Sequence, residues 1–270
     1  MRTHLPGTVP DSSSSLILRL PRGYDQRPMA VNSLSLAKVL DRLESHYGTQ
    51  VAHWPTDPYE FLVWWHCGYP QSDDRCAKGW AALTNQMSIS PEAILAAKPA
   101  AIASALKHGG MVPELRALRL KEIAMRIQDQ FGGDLISALR GPVTEARKIL
   151  KQFPNISDPG ADRILLFAAI APIAAVPSNN PSVIVRVKYG RERENYGVNY
   201  RESQQAIEQE IPANVKARQR AYLLLKRHGQ ELCKRTKPKC EQCPIHANCA
   251  YYCGNLRGRS AYAAIPGSRR

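Results

Sequence analysis

The segment CKRTKPKCEQCPIHANC, residues 233–249, holds four of the chain's seven cysteines, namely Cys233, Cys240, Cys243 and Cys249. Gaps of six, two and five residues separate them, so only a compact loop can gather all four. Thiolate is a soft ligand, and four thiolates suit either zinc or an iron–sulfur cluster. The spacing is not that of a disulfide framework, because the remaining cysteines are only Cys67, Cys76 and Cys253. The segment therefore predicts a metal centre.

The spacing and flanks of this segment resemble the loop that closes the endonuclease III and adenine-mismatch branch of the helix-hairpin-helix DNA glycosylases. A helical run, YLLLKRHG at 222–229, leads into Cys233; the first gap contains KPK at 237–239, and a proline follows Cys243. The resemblance implies that the four cysteines hold a [4Fe–4S] cluster. Ligand chemistry alone leaves zinc open, although structural zinc usually takes two C-x₂-C pairs and this segment contains one.

The composition is that of a folded and strongly basic protein. Of 270 residues, 44% are hydrophobic, and 37 Lys+Arg against 23 Asp+Glu leave a net charge of +14. Such an excess favours a polyanionic partner, and nucleic acid comes before a membrane because the sequence has no long apolar run. We expect a monomer that binds double-stranded DNA. Free thiols beside a cluster loop indicate a reducing interior, and hence a cytoplasmic protein, nucleoid-associated if bacterial.

Helical periodicity covers most of the chain, which predicts an all-α fold. Residues 1–30 differ: they are rich in proline and serine without a helical period, and we interpret them as a disordered tail. Both Met1 and Met29 remain open as the true start of the chain. The later helices are expected to begin or end at residues that favour helix termini: Ser35, Gly48, Asp57-Pro58, Gly68, Ser72 or Asp73, Gln86, Pro91, Pro99, Gly141, Lys151, Arg201, Glu210, Pro212 and His228.

For one stretch the sequence must decide which helix face is buried, and for another whether the segment is a strand or a helix. A longer helix is predicted to bury Leu115, Leu118, Ile123 and Ile127 and to expose its basic side chains, Arg116, Arg119, Lys121 and Arg126. Residues 183–189, VIVRVKY, alternate β-branched and polar positions and by themselves predict a strand. The family resemblance makes them a helix, and we adopt the helix.

The resemblance covers about residues 35–250 and implies a two-domain organisation. It places a six-helix barrel with a degenerate helix-hairpin-helix at 57–180, and an iron–sulfur cluster domain at 31–56 and 181–253. Double-stranded DNA would lie across the cleft between the domains. A basic tail, 254–270, would follow the cluster domain.

The hairpin expected from the resemblance is FPNISDPG, residues 153–160. Family members have glycines at the positions of Asn155 and Ser157; Asn155 enters the left-handed region at tolerable cost, Ser157 less readily. Asp158 places a negative charge where the family binds phosphate. The residues expected at the DNA are Lys151, Asn155, Ser157, Gly160 and Arg163, together with the basic residues of the cysteine segment.

Neither catalytic position implied by the resemblance keeps the family's residue. Pro159 stands where bifunctional members have a Lys nucleophile, and Pro177 stands where members have an Asp. Asp73 as a general base and Tyr69 as a ring stacked on a flipped base are weak substitutes. The simpler interpretations are a helix N-cap for Asp73 and a packed core ring for Tyr69.

The remaining polar and cysteine residues receive structural interpretations. Solvated helix positions are expected for Asp162 and Arg163, and positions covering the cluster for His228 and His246. Cys67 and Cys76 are interpreted as small core residues, and Cys253 as a neighbour of the cluster without being a fifth ligand.

Three classes of function remain at this stage. The preferred one is a monofunctional DNA N-glycosylase that flips a damaged base and has no Schiff-base lyase activity, because Pro159 has no side-chain amine. The alternative is a catalytically silent iron–sulfur relative that binds DNA. A zinc-stabilised binding module is the third, and metal analysis separates it from the others.

Overall fold

The computed structural model describes residues 34–178 and 182–254, and α-helices dominate these two ranges, without strands. The all-α prediction is confirmed. Most of the two predicted tails, 1–30 and 254–270, lies outside the described residues. The helices are α1 Leu36–Tyr47, α2 Pro58–His66, α3 Asp73–Gln86, α4 Pro91–Ala96, α5 Pro99–Leu106, α6 Pro113–Phe131, α7 Leu135–Leu139, α8 Val143–Leu150, α9 Asp158–Phe167, α10 Ser182–Tyr189, α11 Tyr196–Glu210 and α12 Val215–Glu231.

The helix boundaries follow local sequence signals. The side chains of Ser35 and Asp57 accept hydrogen bonds from backbone amides in the first turns of α1 and α2. Prolines occupy the first turns of α4 and α5, as predicted. Gly48 ends α1 with φ at 72°, a conformation that glycine adopts without cost. Within the described part of the chain, no helix is long and apolar enough to cross a membrane.

The segment with strand-like alternation is helix α10, so the choice of a helix is confirmed. Four β-branched side chains of this helix are buried: Val183, Ile184, Val185 and Val187. Because apolar residues at successive positions of α10 are buried, the sequence shows no clear helical period. Tertiary packing therefore overrides the β-propensity of this segment.

The predicted face of α6 is confirmed for Ile123 and Ile127, which are buried, but wrong for its first turns. Leu115 and Leu118 are 43% and 57% exposed, whereas Arg116 is only 4% exposed. The buried face consists of Arg116, Ala117, Leu120, Ile123, Ala124 and Ile127. Arg116 turns inward because its Nη1 donates to the carbonyl oxygen of Cys67 at 3.1 Å, at the C-terminal end of α2. A cation suits the partial negative charge of a helix C-terminus.

The buried apolar side chains form two cores. The first contains residues between 54 and 175, including Cys67 and Cys76 as predicted, and is completed by Tyr222 and Leu223 of α12. The second joins α1 to α10, α11 and the cysteine segment, and takes Ala221, Leu224 and Leu225 from α12. Helix α12 therefore belongs to both cores. The division into two domains stays a prediction.

Asp162 is buried, and its predicted solvent exposure is wrong. Arg147 Nε donates to its Oδ1 at 2.6 Å, and Oδ2 accepts from the Tyr200 hydroxyl and from Gln204 Nε2, both at 2.8 Å. The contacts join α8, α9 and α11, and Tyr200 itself belongs to the second core. Burial raises the pKa of Asp162 above its ordinary value, although the hydrogen bonds oppose the shift.

We predict that Asp162→Ala lowers the free energy of unfolding at pH 7 by about 3–5 kcal/mol, because three donors lose their acceptor. Asp162→Asn keeps one acceptor and should cost less. The pKa of Asp162 is higher in the folded protein than in the unfolded chain, where it is about 4, so protonation of Asp162 stabilises the fold at low pH. This stabilisation is lost as the pH rises through the folded-state pKa. The deficit of Asp162→Asn relative to wild type should therefore be larger at about pH 4 than at pH 7.

Urea denaturation at both pH values measures these differences, with the exposed Asp129 changed to Ala as control. Equal costs for Asp162→Ala and Asp129→Ala would contradict the proposed importance of the network.

Candidate functional site

The turn between α8 and α9 keeps a hairpin shape without the two glycines of the family. Asn155 adopts the left-handed conformation at φ 55°, whereas Ser157 is extended at φ −107° and precedes the first turn of α9. The buried Gly160 packs near Ile156, and a Cβ added there would meet Ile156 Cγ2 at an ordinary 3.5 Å. One nitrogen of the His66 ring, Nε2, lies 2.9 Å from the carbonyl oxygen of Pro154 and attaches the turn to α2.

The charges at this hairpin partly cancel. Lys151 Nζ lies 2.7 Å from Asp158 Oδ1, and both side chains are exposed. Asp158 begins α9, where the helix dipole and free amides otherwise favour an anion. A phosphate at this helix terminus would therefore meet a carboxylate and would compete with it for Lys151. Lys151, Asn155 and Ser157 are exposed and can reach DNA from the protein surface.

Arg163 is buried, so the predicted solvated helix position is wrong, whereas its expected contact with DNA stays a prediction. The residue is 3% exposed, and its guanidinium carbon lies 3.9 Å from the centre of the Trp54 ring. Its Nη2 donates to Asp73 Oδ2 at 2.9 Å. Four further aromatic rings lie within 6 Å of the guanidinium: Phe61, Trp64, Trp65 and Tyr222. The aromatic faces and the carboxylate replace the water that this cation loses.

Asp73 is held between two cations, the buried Arg163 and the half-buried Lys226. Lys226 Nζ of α12 lies 3.0 Å from the same Oδ2 that accepts from Arg163. Burial alone would raise the pKa of Asp73, but the charges of Arg163 and Lys226 outweigh burial and lower it. Burial, helped by the charge of Arg163, lowers the pKa of Lys226, and Asp73 opposes that shift. The N-cap of α3 is Ser72, so Asp73 serves as an ion-pair partner and not as a cap.

Sequence reasoning missed Lys226. The residue lies directly after Leu223-Leu224-Leu225, in a helix that was interpreted only as the lead into Cys233. The direct attachment of this lysine to three apolar residues was the available signal, because long charged side chains are rarely buried without a partner.

Two cavities adjoin the Asp73–Lys226 pair. The smaller one, about 20 Å³, is also lined by Tyr69, Gln71, Pro177 and Ser178. The larger one, about 420 Å³, lies between residues 50–54, the start of α3 and α12, and is lined also by Trp54, Asp74, Arg227 and Gln230. A volume of about 20 Å³ has room for one water molecule, whereas a few hundred Å³ is the size of a small-ligand pocket.

Tyr69 is partly buried, and its ring stacks on Trp65 at 4.3 Å with an interplanar angle of 18°. This contact agrees with the interpretation as a packed ring, while the other side of the residue faces the smaller cavity. Pro177 also lines that cavity. The position where the family resemblance expected an Asp therefore lies beside Asp73.

A second feature missed in the sequence is an apolar loop tip next to the smaller cavity. Met111 and Val112 are 71% and 58% exposed, and Val112 has φ 54°, which is unusual for a β-branched residue. A Cβ added to Gly110 would lie 3.1 Å from Cγ of Gln71, which lines the cavity. The sequence signal for an exposed tip was an apolar pair that lies between two glycines, Gly109-Gly110, and the proline that begins α6.

The four cysteines of the 233–249 segment line a single cavity. Its walls are otherwise largely apolar and include Val187, Leu232 and Ile245. Both predicted covering histidines line it as well: His228 Nε2 lies 3.7 Å from Cys243 Sγ, and His246 Nδ1 lies 2.7 Å from the Cys243 carbonyl oxygen. Among the described residues, no three His, Cys, Asp or Glu side chains are grouped so that they could hold one metal ion.

Arg186 of α10 is the charged side chain at this cavity. Its Nη1 donates to Cys233 Sγ at 3.7 Å and to the Lys234 carbonyl oxygen at 2.7 Å, and its Nη2 donates to the Arg235 carbonyl oxygen at 2.9 Å. Burial raises the pKa of Cys233 to about 11, and the charge of Arg186 opposes this shift in favour of the thiolate, the form that binds metal. Four thiols, apolar walls and one cation are the kinds of group that an anionic iron–sulfur cluster requires.

Comparison with solved structures places this architecture among known folds. An endonuclease III bound non-covalently to DNA aligns over 83% of this chain and 99% of its own, with TM-score 0.64 and 17% sequence identity. A thermostable thymine-DNA glycosylase aligns over 82% and 97%, with TM-score 0.64 and 21% identity. The 3-methyladenine DNA glycosylase MagIII of H. pylori, bound to 1,N6-ethenoadenine, aligns over 74% and 99%, with TM-score 0.55 and 16% identity.

The chain therefore has the fold of the helix-hairpin-helix DNA glycosylases, and the resemblance drawn from the cysteine segment is confirmed at the level of the fold. Structures to which it is similar include those of endonuclease III, thymine-DNA glycosylase and MagIII. No protein-family model matches the sequence, and no curated protein matches it either.

We predict that Asp158→Asn strengthens binding to duplex DNA by about twofold to fivefold, the effect of one exposed charge contact, because it frees Lys151 and removes a repulsive carboxylate. The slope of log affinity against log salt should steepen by about one. Fluorescence anisotropy at several salt concentrations measures both, with Asp129→Asn, an exposed residue at the far end of α6, as a charge-matched control. Equal gains for the two variants would show that only net charge matters.

Proposed function

We propose that the protein binds double-stranded DNA as a monomer and hydrolyses the glycosidic bond of a flipped damaged base, without Schiff-base lyase activity. The observation that carries the proposal is the Asp73–Lys226 pair between a nucleobase-sized cavity and a water-sized cavity, within a fold shared with DNA glycosylases. The smaller cavity is bordered by the position where the family resemblance expected a catalytic carboxylate.

Charge and shape support DNA as the partner. The net charge is +14, and exposed basic side chains lie in the first gap of the cysteine segment at Lys234, Arg235, Lys237 and Lys239. The exposed Met111–Val112 tip would enter the base stack beside the smaller cavity, because an apolar wedge between base steps helps to open the duplex. Extrusion of a nucleotide is necessary, since a base inside a duplex is out of reach of a pocket.

The site residues support hydrolysis without a covalent sugar adduct. Pro159 offers no amine at the hairpin, and the lysine in the pocket, Lys226, is engaged with Asp73. The low pKa of Asp73 keeps its carboxylate ionised, which suits stabilisation of a developing sugar cation better than removal of a proton.

The cysteine segment would hold a [4Fe–4S] cluster through Cys233, Cys240, Cys243 and Cys249. When bound, such a cluster supplies coordination energy that folds the segment and the end of α12. Arg186 orients Cys233 and fixes the backbone of Lys234 and Arg235, so the same contact positions the exposed basic side chains.

A catalytically silent DNA-binding relative is the second candidate. Two prolines replace the reactive residues that the resemblance implies, and Asp158 weakens the hairpin's phosphate site. The zinc-stabilised module remains a third candidate until the metal is analysed.

We expect anaerobically purified protein to be brown and to contain iron and acid-labile sulfide in equal amounts, about four of each per chain. Cys243→Ser should bleach it and lower the midpoint of thermal unfolding, because coordination energy is folding energy. Cys253→Ser is the matched control, since Cys253 donates to the Ala247 carbonyl oxygen and does not line the cavity. Stoichiometric zinc without sulfide would establish the zinc module instead.

The activity itself is tested by incubating the metal-replete protein with duplexes that each contain one damaged base. We expect base release that leaves an intact abasic site, with strand breakage only after alkali. Borohydride added during turnover should trap no protein–DNA adduct, because no Schiff base forms. Absence of base release from every duplex, with retained DNA binding, would favour the silent relative. A borohydride-dependent adduct would refute the monofunctional mechanism.

A further inference from the structure

Lys226 is not needed to neutralise the charge of Asp73, because Arg163 already does so. Asp73 is already paired with Arg163 at 2.9 Å, and Arg163 is itself surrounded by aromatic rings. Lys226 is a second cation on the same carboxylate oxygen, at 3.0 Å, and its side chain lines both cavities. The pair therefore lies where a base in the larger cavity and a water in the smaller one would be nearest to each other.

We propose that Lys226 is the proton donor to the leaving base and that Asp73 stabilises the positive charge that develops on the sugar. This inference rests on the glycosylase function proposed above and assigns its reacting groups. Trp54 and the amide of Gln230, which line the larger cavity, would provide an aromatic surface and a hydrogen-bonding group for the base.

The proposed step is balanced by one water molecule. The bond between the sugar's C1′ and the base nitrogen breaks, its electron pair stays with the base, and Lys226 Nζ gives the base a proton. The oxygen of a water in the smaller cavity then forms a bond to C1′, and the proton that this water loses returns to the neutral amine. Lys226 ends protonated, as it began, so the amine never remains free to attack the sugar.

Several charged groups act on Lys226 from the elements around it. Asp73 and Cys76 lie on α3 and Arg163 on α9, and all three influence its proton affinity. Further titratable groups border the larger cavity: His53, Asp74, Arg227 and Glu231. Burial and the Arg163 charge lower the pKa of Lys226, which makes the ammonium a better acid near neutral pH than an exposed lysine.

The experiment compares wild type with Lys226→Arg on duplexes containing neutral damaged bases and on duplexes containing a cationic N7-methylated purine. Arginine keeps the charge beside Asp73 but does not release a proton at accessible pH. We expect release of neutral bases to fall by about 10²–10⁴-fold, as for loss of a general acid, while release of the cationic base is unchanged. A base that already carries a positive charge leaves without a proton from the protein.

The pH profile provides a second readout. Wild-type release of neutral bases should decline as pH rises through the lowered pKa of Lys226, below the ordinary lysine value of about 10.4, and Lys226→Arg should not show this decline. Lys216→Arg, an exposed lysine on the same helix, is the control. Thermal unfolding and DNA binding of each variant verify that the proteins are folded.

The outcomes separate this inference from the function on which it rests. If the Lys226→Arg variant still releases neutral bases at the wild-type rate, the inference is overturned but the proposed function is not. The same holds if the wild type releases only cationic bases. Absence of any release by wild type would overturn the proposed function and the inference together.

Discussion

The burial of Arg163 is the interaction on which the candidate site depends. Removing a guanidinium from water costs several kcal/mol unless charges or polar groups replace the lost hydration. Here the Trp54 face at 3.9 Å and the Asp73 carboxylate at 2.9 Å do so. The same pairing fixes Asp73 at the start of α3, between two cavities, and Lys226 binds the same carboxylate oxygen, Oδ2. The position of the lysine therefore follows from that of the arginine.

The second core contains a comparable arrangement around Arg186. This buried guanidinium donates to Cys233 and to two carbonyl oxygens of the cysteine segment, pairs with Glu192, and lies 5.1 Å from the centre of the Tyr251 ring. Each core thus surrounds an arginine that organises polar groups at its edge. In the first core the organised group is a carboxylate, and in the second it is a thiol segment. Both arrangements join residues that are far apart in the sequence.

Local sequence signals predicted much of the fold, because caps and prolines act within one turn of a helix. Ser35, Asp57 and Pro91 mark helix starts as expected, and the cysteine spacing led to the correct fold. The buried faces were less predictable. Arg116 and Arg163 resemble solvated residues in the sequence, and their partners, Cys67 and Asp73, are 49 and 90 residues away. Periodicity treats every charge as exposed, so it could not find Lys226 or the buried Asp162.

Helix α12 has a mechanical consequence because it belongs to both cores. Tyr222 and Leu223 are fixed in the first core, and Leu224 and Leu225 in the second, so the helix cannot rotate or slide in one core without moving in the other. Lys226 lies five residues before Glu231, the last residue of α12, and Cys233 follows two residues after that end. Because α12 connects the cysteine segment to the cavities lined by Lys226, a displacement of that segment would also move the Lys226 ammonium group.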